Sequence, residues 1–164
     1  MTRLKLLFIA LGVAAADLAT KAVIRDRMPV GSGRTVIDGW FNIVHVRNPG
    51  AVFGLGAELG RVLPWLLTSA SAIIAVVVLV IALRTPLTDR RTQIGLHLVL
   101  GGALGNIINR LTFGPVVDFL DFYVRSDTGE HHWPAFNLAD IAICVGIGTL
   151  VLLSKRTATG EART

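Results

Sequence analysis

Three aspartates lie beside or within long apolar stretches of the sequence, where charged side chains are otherwise scarce. Asp118 follows one apolar segment by a few residues, Asp140 lies just inside another, and Asp17 lies within a third. Two carboxylates in poorly hydrated surroundings cannot both ionise easily, so they share a proton. Such a pair can hydrolyse an amide bond, because the ionised member activates water and the protonated member polarises the carbonyl group. If the outer ends of their segments meet, Asp118 and Asp140 are candidates for this chemistry.

Each acid also has a structural interpretation, which spacing alone slightly favours for Asp118 and Asp140. Asp140 would stabilise the start of a helix through the helix dipole, and Asp118 would be a loop charge. Asp17 lies about 10 Å deep in its segment, where acids are functional candidates, but it could equally pair with Lys21 one helical turn away. Asp121 is an odd number of residues from Asp118 and would face the opposite side of a strand, so we interpret it as structural.

The composition indicates a membrane protein. Of the 164 residues, 52% are hydrophobic and 16% are charged, whereas a soluble domain carries about 25% charged residues. Four apolar segments are each close to the length that a membrane-crossing helix needs. They lie at about 4–24, 62–83, 92–111 and 138–153. We expect a single integral-membrane domain over residues 1–164, an all-α fold with four transmembrane helices.

The first segment has an alternative interpretation as a cleaved signal peptide, because basic residues precede an apolar run that ends in small residues. The apolar pattern continues past Ala16, however, and three further segments already place the chain in the membrane. The N-terminus, the loop at 84–91 and the C-terminal tail are dense in Lys and Arg. The positive-inside rule therefore predicts that both termini are cytoplasmic and that the two longer loops are outside.

The first outer loop has a hairpin signature. Asp38-Gly39 lies between two β-prone runs, which predicts a small β-sheet on the membrane surface between the first two helices. The net charge of +5 comes without a basic stripe interleaved with aromatics, so no nucleic-acid partner is expected. His131 and His132 have no third ligand at a suitable spacing, which favours a solvated loop over a metal site. No nucleophilic triad or phosphate-binding loop is evident, so we expect no metal and no cofactor.

Four ordered motifs resemble those of the lipoprotein signal peptidases, the type II signal peptidases of bacteria. They are DLATK at 17–21, NPGAVFG at 48–54, GGALGNIINRLTFGPVVDFLDF at 101–122 and FNLADIAI at 136–143. The resemblance covers nearly the whole chain. It implies an aspartic endopeptidase of the bacterial cytoplasmic membrane, with its active site near the outer face. The implied substrate is a prolipoprotein whose lipobox cysteine carries diacylglycerol, and cleavage just before that cysteine releases the signal peptide.

The resemblance also assigns roles to individual residues. The family's catalytic pair corresponds to Asp118 and Asp140. Polar residues that support the site or hold the substrate backbone correspond to Asp17, Asn48, Asn106, Arg110 and Asn137. The family usually has Asp where this chain has Asn109, and Asn cannot pair ionically with a neighbouring Arg. We therefore expect weaker support of Arg110 but, because the acid pair is present, an active enzyme. Its partners would be the lipidated precursor and membrane lipid, and the default oligomeric state is a monomer.

Two other function classes compete with this interpretation. A small four-span transporter would use Asp17 as a proton carrier, but it leaves the hairpin-bearing loop and the two other acids unexplained. An inactive homologue that binds lipopeptides is favoured only by Asn109. Incubation with a diacylated prolipoprotein separates the three, because only the peptidase yields a shortened product.

Overall fold

The apolar segments of the sequence fold as helices, and the segments that follow the first and third of them fold as strands. The computed structural model describes residues 2–49 and 62–161. In chain order the elements are α1 (Arg3–Arg27), β1 (Gly33–Ile37), β2 (Phe41–Asn48), α2 (Val62–Arg84), α3 (Arg90–Phe113), β3 (Val116–Ser126), β4 (Gly129–His132) and α4 (Leu138–Glu161).

Three of the described helices are long and apolar enough to cross a membrane, namely α1, α2 from Trp65 onward, and α3. The apolar part of α4, Leu138–Leu153, is shorter, so four membrane crossings stay a prediction. The bounds of this apolar part match the predicted segment at about 138–153, and the helix α4 itself continues beyond it to Glu161. Hydropathy marks where apolar residues stop, whereas a helix continues through polar residues for as long as its backbone hydrogen bonds do.

Helix α3 contacts all three other helices and lies at the centre of the helical layer. Glycines allow this close packing. A Cβ atom at Gly101 would lie 2.6 Å from the Ala10 carbonyl oxygen of α1, and a Cβ atom at Gly102 would collide with the Ala139 carbonyl of α4. Small residues let the backbones of membrane helices approach each other in this way. α3 thereby brings together the polar residues of α1 and α4.

The strands form one antiparallel sheet in the order β1-β2-β3-β4. The predicted hairpin is confirmed, because β1 and β2 pair across a turn in which Gly39 has a φ of 76°. The sheet is larger than the one predicted between the first two helices. Its other half, β3 and β4, comes from the segment between α3 and α4. β3 is rich in β-branched and aromatic residues, but its pairing with β2 joins segments distant in the sequence, which no local pattern reveals.

The turn from α3 into β3 places Asp118. Gly114 ends α3 with a φ of 77°, a conformation that favours glycine and reverses the chain direction at the helix end. Asp118 then lies in a strand, which corrects its interpretation as a loop charge. On either side of it, Val117 and Phe119 pack against Ile24 of α1, so the strand is fixed to the helical layer.

Candidate active site

Asp118 is buried in β3 with an amide donor on each carboxylate oxygen. Its Oδ2 accepts a hydrogen bond from Asn48 Nδ2 at 2.9 Å, and its Oδ1 accepts one from Asn137 Nδ2 at 2.7 Å. Burial raises the pKa of Asp118 from 3.8 to about 6. The two amide donors lower this pKa, and repulsion by nearby Asp140 raises it. Asp118 therefore takes up a proton much more readily than an ordinary carboxylate.

Asp140 lies in the first turn of α4 and takes part in a reciprocal cap of that helix. Asp140 Oδ2 accepts the Asn137 backbone N–H at 3.2 Å, while Asn137 Oδ1 accepts the Asp140 N–H at 3.2 Å. Asp140 Oδ1 also accepts a hydrogen bond from Asn106 Nδ2 of α3, at 3.0 Å. The expected position of Asp140 at a helix start is confirmed, and this position leaves it in contact with the other site residues.

Asn137 joins the two acids. It is fully buried, and it reaches Asp118 through its side-chain amide and Asp140 through its backbone N–H. The chain just before Asn137 is fixed to β3, because the Phe136 N–H donates to the Leu120 carbonyl oxygen at 3.0 Å. The structure thus brings Asp118 and Asp140 to one place, where the sheet meets the start of α4.

Asp17 lies beneath this point, on α1, with both carboxylate oxygens bound. Its Oδ2 pairs with Lys21 Nζ at 2.7 Å, and its Oδ1 accepts the Ala139 N–H of α4 at 2.9 Å. Lys21 Nζ also donates to Asn106 Oδ1 at 2.7 Å. Asp17 is therefore part of the predicted pair with Lys21 and at the same time a support of the helix that carries Asp140.

Asn109 does not have the neighbour that the sequence suggested. Its Oδ1 accepts from Arg25 Nη1 at 3.2 Å, and its Nδ2 donates to the Pro115 carbonyl oxygen at 3.0 Å. Arg110 instead donates to Ser71 Oγ of α2 at 3.5 Å and is attracted by the two acids. The expectation that residue 109 supports Arg110 is thus corrected. Adjacent residues on a helix point in different directions, and here they have different partners.

Other predicted positions lie around the site or outside the described residues. Residues 50–54 of the NPGAVFG motif are among those not described. Asp121 accepts from Asn42 and contacts His132, which agrees with a structural role. His132 and His131 lie on β4, an exposed strand rather than the loop expected. Among residues 2–49 and 62–161, no group of three or more His, Cys, Asp or Glu residues is arranged to hold a metal ion.

A family model described as Signal peptidase (SPase) II matches residues 9–156 of the sequence. The chain belongs to the signal peptidase II family. It is therefore a peptidase, and its apolar helices agree with a multi-pass protein of the inner membrane. The motif at 17–21, the acid pair and the start of α4 all lie within the matched residues.

Named relatives agree over most of the chain. The lipoprotein signal peptidase of Syntrophotalea carbinolica is 42% identical over 152 residues, which are 92% of this chain and 91% of that protein. The lipoprotein signal peptidase of Desulforapulum autotrophicum is 41% identical over 140 residues, which are 85% of this chain and 84% of that protein. A bacterial membrane enzyme solved by the in meso method at 2.3 Å resolution has a TM-score of 0.74 at 28% identity, covering 96% of this chain and 91% of that chain.

Sequence reasoning missed three features of the site. It did not place Lys21 against Asn106, did not give Asn137 contact with both acids, and did not pair Asn109 with Arg25. A signal for the first was available, since Asp17 and Lys21 are one turn apart and a buried ammonium needs further partners. The other two depend on contacts between distant segments, for which a single sequence carries no local signal.

Proposed function

We propose that Asp118 and Asp140 are the catalytic pair with which this signal peptidase removes signal peptides from prolipoproteins. The observation that supports this most is their connection through Asn137, with Asp118 shifted towards protonation. Family membership supports the peptidase activity. The aspartic mechanism rests on the geometry of the two carboxyl groups and on the sequence resemblance.

In this mechanism the pair carries one proton before the reaction. The ionised carboxylate takes a proton from water, and the water oxygen attacks the carbonyl carbon of the scissile peptide bond. The protonated carboxyl donates a hydrogen bond to the carbonyl oxygen, where negative charge develops. The tetrahedral intermediate then collapses, the C–N bond breaks, and the leaving amine receives the proton taken from water.

The polar residues around the pair have supporting roles. Asn48, Asn106 and Asn137 orient the carboxylates by donating hydrogen bonds to them. Arg110 is half-buried near both acids and supplies positive charge where the oxyanion forms. Asp17 holds the start of α4 through the Ala139 N–H. These contacts hold the two acids in a fixed relative geometry while one substrate leaves and the next one binds.

The pair lies where the helices meet the sheet, which supports a reaction at the membrane interface. With both termini in the cytoplasm, as the basic residues predict, this end of the helices is at the outer face. The substrate is then a prolipoprotein whose lipobox cysteine bears diacylglycerol, and the acyl chains lie in lipid or along the helices. The anchored lipid holds the bond before that cysteine at the depth of the acids. The enzyme works as a monomer in this scheme.

Neither rival function has support from the structure. A transporter carrying protons on Asp17 would need that carboxylate to exchange protons along a pathway, whereas Asp17 is fully buried and bound on both oxygens. An inactive homologue was favoured only by Asn109, which contacts Arg25 and Pro115 rather than the acid pair.

The decisive test is cleavage of a diacylated prolipoprotein by purified Asp118→Asn and Asp140→Asn variants. Each should lose activity by about 10²-fold or more, because acid–base catalysis by the pair requires both carboxyls. Asp26→Asn is the matched control, since Asp26 is an exposed acid on α1. Activity close to that of the unmodified enzyme in either variant would contradict the assignment. Unlipidated precursor should be cut much more slowly, and equal rates on both precursors would contradict recognition of the lipid.

A further inference from the structure

Lys21 is a buried cation that the reaction just described does not use. Its side chain is completely inaccessible to solvent, and its ammonium group donates to Asp17 Oδ2 and to Asn106 Oδ1, each at 2.7 Å. Burying an ammonium costs several kcal/mol unless it is paired and hydrogen-bonded. Asp17 neutralises its charge, and Asn106 accepts a second of its three N–H donors.

The Asn106 amide has only one orientation that satisfies both of its neighbours. The Lys21 ammonium can only donate hydrogen bonds, so the amide oxygen must face Lys21. The amide nitrogen then faces Asp140 and donates to its Oδ1 at 3.0 Å. A flipped amide would set its nitrogen against the ammonium and its oxygen against a carboxylate. Lys21 thus determines that Asp140 is offered a donor by Asn106.

We infer that Lys21 is a positioning residue of the catalytic pair, which through the Asn106 amide keeps Asp140 the ionised member that takes the proton from water. The inference rests on the function proposed for Asp118 and Asp140. It adds Lys21 to the residues that act in catalysis, and it makes Asp140 the ionised acid and Asp118 the protonated acid.

Two cations and two acids face Asp140 from three elements, so the charges nearby offset each other and the hydrogen bonds to Asp140 decide. From α1 come Lys21 and its partner Asp17, from α3 comes Arg110, and from β3 comes Asp118. Asp140 also lies at the positive end of the α4 dipole and accepts a backbone N–H there, which favours an anion.

Asp118 has the surroundings of the protonated partner. It is buried in the strand, and its pKa of about 6 is well above the ordinary value. In a pair that needs one proton, activity falls at low pH when the ionised member is protonated, and at high pH when the protonated member ionises. The acidic limb of the pH–rate profile should therefore respond to Lys21, whereas a purely structural lysine would leave that limb in place.

The test is the pH–rate profile of the double variant Asp17→Asn, Lys21→Met, assayed with a diacylated prolipoprotein in detergent micelles. Removing both charges avoids leaving Asp17 as an unpaired buried carboxylate, and the amide oxygen introduced at position 17 can still accept the Ala139 N–H. We expect kcat at neutral pH to fall by about tenfold or more, with KM within about twofold, and the acidic limb to move up by about one pH unit. An acidic limb that stays in place, whether or not kcat falls, overturns the inference.

A second variant keeps the test valid if the double variant does not fold. Asn106→Ala leaves the Asp17–Lys21 pair intact but removes the connecting amide, and the same upward shift of the acidic limb is expected. The exposed pair on the same helix provides the control, because Asp26→Asn, Arg27→Gln should leave both limbs unchanged. An active Asp140→Asn variant would refute the proposed function itself. An unmoved limb together with an inactive Asp140→Asn variant would refute only the role of Lys21.

Discussion

Two groups of paired acids and bases in this molecule have similar chemistry and opposite surroundings. The buried network consists of Asp17, Lys21 and Asn106, and the side chains of its ion pair are 0% exposed. The surface network lies on the sheet, where Arg125 binds Asp38 and Glu130, each at 2.9 Å. Its side chains are between 43% and 75% exposed.

The difference shows that distance alone does not determine what an ion pair contributes. Exposed pairs exchange one well-solvated arrangement for another, so they contribute little and are screened by salt. In the buried network neither partner can be rehydrated when the other is lost, so removal of one leaves an uncompensated charge. The buried network therefore fixes geometry at the acid pair, whereas the surface network connects β3 to β4 and to the turn between β1 and β2.

The largest effect should come from breaking the buried pair. Asp17→Ala removes the partner of Lys21 and the acceptor of the Ala139 N–H, and breaking such a pair costs about 3–5 kcal/mol of unfolding free energy. Cleavage should fall with it, because the start of α4 carries Asp140. The measurement is unfolding in detergent alongside cleavage of the lipidated precursor. Asp26→Ala breaks an exposed pair on the same helix and should change neither. A similar loss of stability and cleavage in Asp17→Ala and Asp26→Ala would contradict the difference argued between buried and exposed ion pairs.

The second prediction concerns the titration of Asp118. Its folded-state pKa of about 6 lies above its ordinary value of 3.8, so folding favours the protonated form. The contribution of Asp118 to the unfolding free energy is fully present below about pH 3.8. It is lost as pH rises through about 6, and the loss amounts to roughly 3 kcal/mol at most. Unfolding followed from pH 4 to 7 should show this decline, and Asp118→Asn should lack it. An equal decline in the variant would mean that another group titrates.

The sequence predicts much of the fold because its main signals are local. Apolar length located the helices, and Asp38-Gly39 located the first hairpin. The acids at segment ends and the motif resemblance brought Asp118 and Asp140 together as candidates. The contacts that organise the site cross between distant segments: Lys21 to Asn106, Asn137 to Asp118, and β3 to β2. Such contacts depend on helix packing and strand register, which periodicity and composition do not determine.

The third prediction concerns Asn109. It tests whether this residue acts on Arg25, as the structure indicates, or on Arg110, as the sequence suggested. Asn109→Asp should strengthen the bond to Arg25 through opposite charge, but it removes the donor to the Pro115 carbonyl oxygen. These effects oppose each other, so unfolding free energy should change by no more than about 1 kcal/mol and cleavage by less than about threefold. A double-mutant cycle should show coupling of position 109 to Arg25→Gln and none to Arg110→Ala. Coupling to Arg110 instead would restore the interpretation that the structure corrects.

The smallest effect should come from His132, an exposed titrating group on β4. The Asp121 carboxylate, with Glu130 nearby, raises the pKa of His132 above 6.5. The protonated form is thus favoured by folding, so its contribution is complete below about pH 6.5 and is lost as pH rises through the raised value. This window lies above that of Asp118, and the two declines can be followed separately. Because the side chain is 43% exposed, the decline should be much smaller, and added salt should reduce it further. His132→Gln should abolish the upper decline and leave both the Asp118 decline and cleavage unchanged. A decline as large as that of Asp118, or one insensitive to salt, would mean that burial does not separate the two regions as argued.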